Sequence, residues 1–260
     1  MTKLTRIVGL FDQHYPECIA AFWDPANPRK TSPLFKFLSD FQPQVLIHGG
    51  DQLDLSCITH FNNGKPKLVE GKRISQDYAG YNVLLDRLES VCHKAEKVVW
   101  LTGNHENWVD YLVESNPQAY EGIIEVENHL NLRSRGYKLF KRRELFKIGK
   151  LALIHGDYKD KYIPIYHARA IADLYNTNIV YGHFHTHQEY VKTRPAGYSS
   201  ISAMSVGTLS HTNPAWLRNA PNAWVNSFAV ILMQENGDFN FHRVSISAQG
   251  SFTFDGVLYR

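Results

Sequence analysis

Five short clusters in this 260-residue chain carry side chains able to hold a divalent cation or move a proton. They are Asp12-Gln13-His14, Gly50-Asp51-Gln52-Leu53-Asp54, Gly103-Asn104-His105-Glu106, His155-Gly156 and Gly182-His183-Phe184-His185. Cys18, Cys57 and Cys92 are too few and too scattered for a thiolate site or a disulfide framework. Any metal therefore falls to imidazole and carboxylate, and 13 histidines make such a site worth seeking. Each cluster alone has a plainer reading. Asp12 and His14 suit a solvated turn, Gly50-Asp51 another turn, Asn104-His105 a cap for a helix beginning near Asn107, and His155 a loop.

The segments before the clusters change that balance. Arg6 to Phe11, Val45 to His48, Val98 to Leu101, Leu151 to Ile154 and Asn178 to Tyr181 are apolar runs that read as buried strands. Each ends in a turn carrying Asp, Asn or His, usually beside glycine. Carboxyl ends of strands in α/β sheets are where ligands bind, so the recurrence is itself a site expectation. Between the strands the period becomes helical. Tyr78, Tyr81, Leu84, Leu85, Leu88, Val91 and Cys92 form one stripe, with Ser75 as its expected N-cap. Ile165, Ala168, Ile171, Ala172 and Tyr175 form another, in a helix opened by Pro164. Tyr198 to Leu209, Phe228 to Met233 and Phe239 to Ile246 read as strands, with Asn236-Gly237 a hairpin turn and Lys147 to Lys150 a second one. The pattern is α/β, read as one domain over 1–260 with the motifs within about 6–187. Strands over 198–260 are expected to complete a second, antiparallel-rich sheet.

Together and in this order the five clusters resemble the calcineurin-like metallophosphoesterase superfamily, from Asp12 to His185. The resemblance implies a two-sheet β-sandwich of mixed strands flanked by helices, with metals at the strand ends. Asp12, His14, Asp51, Asn104, His155, His183 and His185 then offer seven oxygen and nitrogen ligands, too many for one tetrahedral zinc. They suit two divalent ions, Mn, Fe or Zn, with Mn favoured. By resemblance Asp51 bridges, Asp12, His14 and His185 complete one metal site, and Asn104, His155 and His183 complete the other. Two such ions and two carboxylates leave +2, which attracts phosphate and acidifies a bridging water whose hydroxide attacks phosphorus in line. The resemblance makes His105 the general acid for the leaving group and Asp54 the carboxylate that orients it. Glu106 receives no role beyond complementing a helix dipole.

One departure narrows the substrate. Protein phosphatases of this superfamily follow Gly-Asp-x-x-Asp with Arg-Gly, whereas Leu55-Ser56 stands here. The form without arginine resembles the phosphodiesterase and repair-nuclease branches. The expected activity is therefore phosphodiester hydrolysis, with DNA or RNA among the substrates. The alternatives are a small-molecule phosphomonoesterase or nucleotide phosphatase, and a non-catalytic interaction module on the same scaffold.

Net charge is only +3, but Arg133 to Lys150 holds eight basic residues against Glu144 alone. That segment could follow a nucleic-acid backbone, or simply form a solvated strand face with Tyr137, Phe140 and Phe146 turned inward. The stretch Trp216 to Trp224 reads as an ordered loop that either rims the site or covers a sheet edge. His187 reads as a surface histidine. No apolar run is long enough for a membrane span or a secretory signal, so a soluble cytoplasmic protein is expected.

Overall fold

A computed structural model describes residues 4–158, 163–193 and 200–260. The strands are β1 (Thr5–Leu10), β2 (Val45–His48), β3 (Lys97–Leu101), β4 (Tyr137–Phe140), β5 (Phe146–Ile148), β6 (Leu151–Ile154) and β7 (Ile179–Tyr181). They continue with β8 (Glu189–Lys192), β9 (Ile201–Ser205), β10 (Ser227–Met233), β11 (Phe239–Ser245), β12 (Phe252–Phe254) and β13 (Val257–Tyr259). The helices are α1 (Pro33–Phe41), α2 (Pro66–Val69), α3 (Ile74–Val91), α4 (Glu106–Ser115), α5 (Pro117–Tyr120), α6 (Val126–His129) and α7 (Ile163–Tyr175).

Two main sheets result, ordered β11-β10-β1-β2-β3-β4 and β5-β6-β7-β9-β8. Strand periodicity explains how they stack. Ile7, Val45, Ile47, Val99 and Leu101 face Leu151, Leu153 and Val180 across the space between the sheets. The alternate residues Val8, Leu10, Leu46 and Trp100 face outward onto Leu34, Phe37, Leu84 and Leu88 of α1 and α3. The outer face of the second sheet packs Ala152, Ile154 and Ile179 against Ala168, Ile171 and Ala172 of α7. Strands covered on both faces read as continuous apolar runs, which is how the sequence shows them. Truncating a residue such as Ile47 to alanine costs about 2–5 kcal/mol through lost burial and the cavity left behind.

This is the mixed sandwich flanked by helices, but the C-terminal strands do not all complete the second sheet. β9 does, between β7 and β8, while β10 and β11 extend the first sheet, with β10 antiparallel to β1. β12 and β13 form a separate hairpin. The reason is β1, whose second edge needs a partner with two buried faces, and Phe228 to Met233 supplies an apolar one. Residues 198 and 199, at the start of the expected strand, lie outside the described residues.

Helix details differ in small ways. α3 begins at Ile74 with Arg73 as N-cap, so Ser75 lies inside its first turn. α7 is kinked at Tyr166, which leaves Ile165 exposed and off the expected stripe. No described helix is long and apolar enough to cross a membrane.

Candidate metal centre

Strands β1, β2 and β3 run parallel in one sheet, and β6 and β7 run parallel in the other. Their carboxyl ends therefore bring the five clusters to one end of the sandwich. The loops are stitched together by main-chain bonds: Asp12 N–H donates to Gly50 O (3.1 Å), His14 N–H to Asp51 O (2.9 Å) and Gly182 N–H to His155 O (2.8 Å). Two motif glycines make the close approach possible. A Cβ at Gly103 would lie 2.1 Å from Asp51 Oδ1, and one at Gly182 would lie 2.3 Å from Asp12 Oδ2.

Two ligand sets converge. In the first, His185 Nε2 lies 3.2 Å from Asp12 Oδ1 and 3.1 Å from His14 Nε2. In the second, His155 Nε2 lies 3.1 Å from both Asp51 Oδ2 and Asn104 Oδ1. A ligand atom of His183 joins Asp51 and His155 within 4.8 Å. Asp51 Oδ2 also lies 4.0 Å from His14 Nε2, so one carboxylate oxygen faces both sets. All seven expected ligands are thus brought together.

Two of the ring nitrogens turned away from these points are engaged, whereas His185 Nδ1 is buried without a hydrogen-bond partner among the described residues. His155 Nδ1 contacts Gly49 O at 3.2 Å, and His14 Nδ1 lies 3.6 Å from Asp54 Oδ1. A proton held on each Nδ1 leaves the Nε2 lone pairs free for a cation, the usual way an outer partner sets a ligand's tautomer.

Five of the seven residues sit in the left-handed region: Asp12 (φ 50°), His14 (46°), Asp51 (51°), His183 (72°) and His185 (59°). Such conformations are costly for residues other than glycine, and they persist where surrounding structure fixes them. Here the sheet and the cross-loop bonds do so.

The electrostatics also favour cations. Asp12 and Asp51 are buried, and among the described residues only imidazoles form ion pairs with them. Burial pushes the Asp51 carboxyl up, but the imidazoles of His155, His105 and His14 outweigh it and hold it well below the carboxylate range. Burial likewise raises Asp12, and His185 and His155 override it. Burial and the charge of His155 push His183 down to about 4, leaving a neutral donor. Burial lowers His155, but Asp51 outweighs it and raises the imidazole to about 10, so a cation bound there displaces that proton. Ionised carboxylates and imidazoles, with no thiolate, are the donor set that two borderline divalent ions require.

His105 stands outside both sets. Its Nε2 lies 3.8 Å from Asp51 Oδ2, and its Nδ1 contacts the main-chain carbonyl of Asp54 at 2.7 Å. The Asp54 carboxylate is farther, 3.9 Å from that Nδ1 and nearer to His14. Orientation of His105 thus comes from the Asp54 backbone rather than its side chain, because the peptide before left-handed Leu55 (φ 48°) turns its carbonyl toward the ring.

Glu106 carries far more than a dipole interaction. It is buried, and its carboxylate accepts the N–H groups of Asp51 (3.1 Å), Leu53 (3.0 Å) and Gly103 (2.9 Å). Burial, then the charge of Asp51, push its carboxyl up to about 7 against the lowering effect of the Leu53 N–H. Nothing in the sequence separates this glutamate from an ordinary first-turn one except its place directly after Asn104-His105.

The basic segment is largely engaged. Arg133 pairs with Glu127, Arg135 with Asp86 and Glu89, and Lys150 with Asp238. Arg142 grips Asp157 Oδ2 at 2.5 Å and donates to Tyr111 Oη at 2.8 Å, joining the loop after His155 to α4. Arg143 donates to the Asp157 carbonyl at 3.0 Å. Tyr137, Phe140 and Phe146 are buried, as their alternation suggests. His187 is half-buried and contacts Ser227 Oγ at 2.9 Å, so it is a structural residue rather than a surface one.

Residues 12–200 match the model of the calcineurin-like phosphoesterase family, and the chain belongs to that family. Its structure is similar to that of Chaetomium thermophilum Vps29, with a TM-score of 0.41 and 13% identity over 92% of this chain and 96% of that one. No curated protein matches the chain significantly.

Proposed function

We propose that the protein is a metal-dependent phosphodiesterase of the reducing cytoplasm, with two divalent ions, Mn first, then Fe or Zn. The observation that carries the reading is Asp51 Oδ2, which faces both ligand sets while His105 Nε2 stands 3.8 Å away and belongs to neither. Asp12, His14, His185 and Asp51 would hold one ion, and Asp51, Asn104, His155 and His183 the other. Bound there, the ions supply the Lewis acidity and the lowered water pKa that phosphoester hydrolysis needs at neutral pH.

The chain's own residues do the rest. His105 Nδ1 donates to the Asp54 carbonyl, which leaves Nε2, the nitrogen that faces the centre, as the position where a second proton would be taken up and given away. A proton held there would pass to the departing ester oxygen as its bond to phosphorus breaks and a water oxygen takes its place. Glu106 keeps the Asp51 and Gly103 loops in register. Phosphodiesters are favoured over phosphoproteins because Leu55-Ser56 replaces the Arg-Gly of the protein-phosphatase pattern. Nucleic acid is proposed among the substrates, with Arg142 and Arg143 the basic residues of the segment that bind Asp157, in the loop after His155.

The test is metal analysis followed by a panel of mono- and bis-nitrophenyl phosphate after loading with Mn, Fe or Zn. Two equivalents of metal and hydrolysis of the diester are expected. Hydrolysis of the monoester alone would replace this reading with a phosphatase. Inertness toward both would overturn it.

A further inference from the structure

Seven rings form an unbroken line through the candidate centre. Phe61 lies 6.3 Å from Trp108, which lies 3.9 Å from His105. His105 is 4.5 Å from His14, and His14 is 5.0 Å from His185. His185 is 4.3 Å from Trp224, which is 5.7 Å from Trp216, all between ring centroids. The four outer rings are thus two aromatic pairs, one beside the proton donor and one beside a ligand.

Both pairs open to solvent. Phe61 is 63% exposed and Trp216 is 55% exposed, and neither belongs to a core cluster. Trp108 and Trp224 are half-buried behind them. The loops that carry the rings are nonetheless fixed to the site. Thr59 Oγ1 accepts the Phe61 N–H, and Asn62 Nδ2 donates to Ser56 O at 2.8 Å, in the loop that follows Asp54. Val225 N–H, next to Trp224, donates to His185 O at 2.8 Å. Exposed large apolar side chains held rigidly beside a ligand set indicate a binding surface rather than a packing remnant.

We propose that the two pairs are stacking platforms for nucleobases, and that the substrate is a single-stranded oligonucleotide lying across the centre. Its scissile phosphate sits at the two ligand sets, one flanking base lies on Phe61 and Trp108, and the other lies on Trp216 and Trp224. The placement of the phosphate rests on the phosphodiesterase reading. A diester carries a substituent on each side of phosphorus, matching a platform on each side of the centre, whereas a monoester would leave one platform idle. Every base offers a π-face, so such platforms bind strands with little regard to sequence. Bases paired and stacked in a duplex do not present those faces.

The test measures binding by fluorescence anisotropy, using the full metal-loaded chain and a labelled, phosphorothioate-linked oligothymidylate that resists cleavage. Phe61→Ala and Trp216→Ala are each expected to raise Kd by about 5- to 100-fold. Both positions are exposed, and unchanged thermal melting confirms folding. A strand of abasic sites with the same phosphates should bind more weakly than the base-bearing strand, and so should a duplex. Oligouridylate in a parallel arm distinguishes RNA from DNA, and ring-dependent binding of either supports the inference. Equal binding of abasic and base-bearing strands, a preference for duplex, or unchanged Kd in both variants overturns it. Self-association lost in the two variants, with no strand bound, also overturns it in favour of a protein interface. Hydrolysis of bis-nitrophenyl phosphate by the same preparations separates the two readings. A chain that hydrolyses the diester but lacks ring-dependent binding overturns only this inference. Ring-dependent binding without any phosphoester hydrolysis overturns only the phosphodiesterase reading.

Discussion

Glu106 Oε2 accepts the main-chain N–H of Asp51 at 3.1 Å, so one buried carboxylate positions the backbone of another. The same oxygen takes the Gly103 N–H, which locks the loop after β2 to the loop after β3. Two loops distant in sequence thus share a single acceptor. Glu106→Gln keeps the shape but aims an amide group at one or more N–H donors, at a cost of about 1–3 kcal/mol. A lower denaturation midpoint and metal affinity reduced by about 10- to 100-fold are expected. A variant with the midpoint and metal content of the parent would remove Glu106 from this role.

Asp51→Asn tests the shared oxygen. An amide cannot supply the negative charge that two cations share, so both sites should weaken together. Metal content is expected to fall from two equivalents to below one, and activity by at least ~100-fold. Loss of one ion with full retention of the other would show that Asp51 serves a single site.

His105→Ala should separate metal binding from proton transfer. Both ions are expected to stay, while kcat on alkyl esters falls by about 10²- to 10⁴-fold. Nitrophenyl esters, whose leaving group needs no proton, should lose much less. Equal losses on the two substrate types would argue against the acid role.

His48 gives the fold a dependence on pH. Burial pushes its imidazole down to about 3, against an ordinary value of 6.5, and its ring neighbours Trp100 and Tyr137 and its polar contacts Gln13 and Tyr81 bring no charge. The unfolded chain takes up this proton near pH 6.5 and the folded chain does not. The contribution is therefore complete above about pH 6.5 and drains away as pH falls toward about 3. His48→Phe should flatten the fall in unfolding free energy below pH 6.5 by up to about 1.4 kcal/mol per pH unit. Parallel pH profiles for variant and parent would rule out this contribution.

Much of the site is legible in the sequence because its residues sit on short loops directly after strands that the apolar runs mark. The parallel order of those strands then guarantees that the loops meet. The details that escaped belong to groups whose role depends on a partner far along the chain. Glu106 looks like any first-turn acid until three N–H donors from two loops are placed around it. The Asp54 carbonyl cannot be told from its carboxylate without the turn at Leu55. The destination of β10 escaped for a similar reason, since apolar alternation shows that a strand is buried but not beside which neighbour.

That destination bears on how the chain matures. β1 leads into the loop that carries Asp12 and His14, and its second edge is covered by Ser227–Met233, which lie beyond residues 12–200. As the polypeptide leaves the ribosome, every loop of the centre emerges before the strand that closes β1. Until then β1 presents a bare ladder of N–H and carbonyl groups, an invitation to pair with another chain. A strand synthesised after every loop of the centre thus seals β1, and those loops stay unsupported on that side until it arrives.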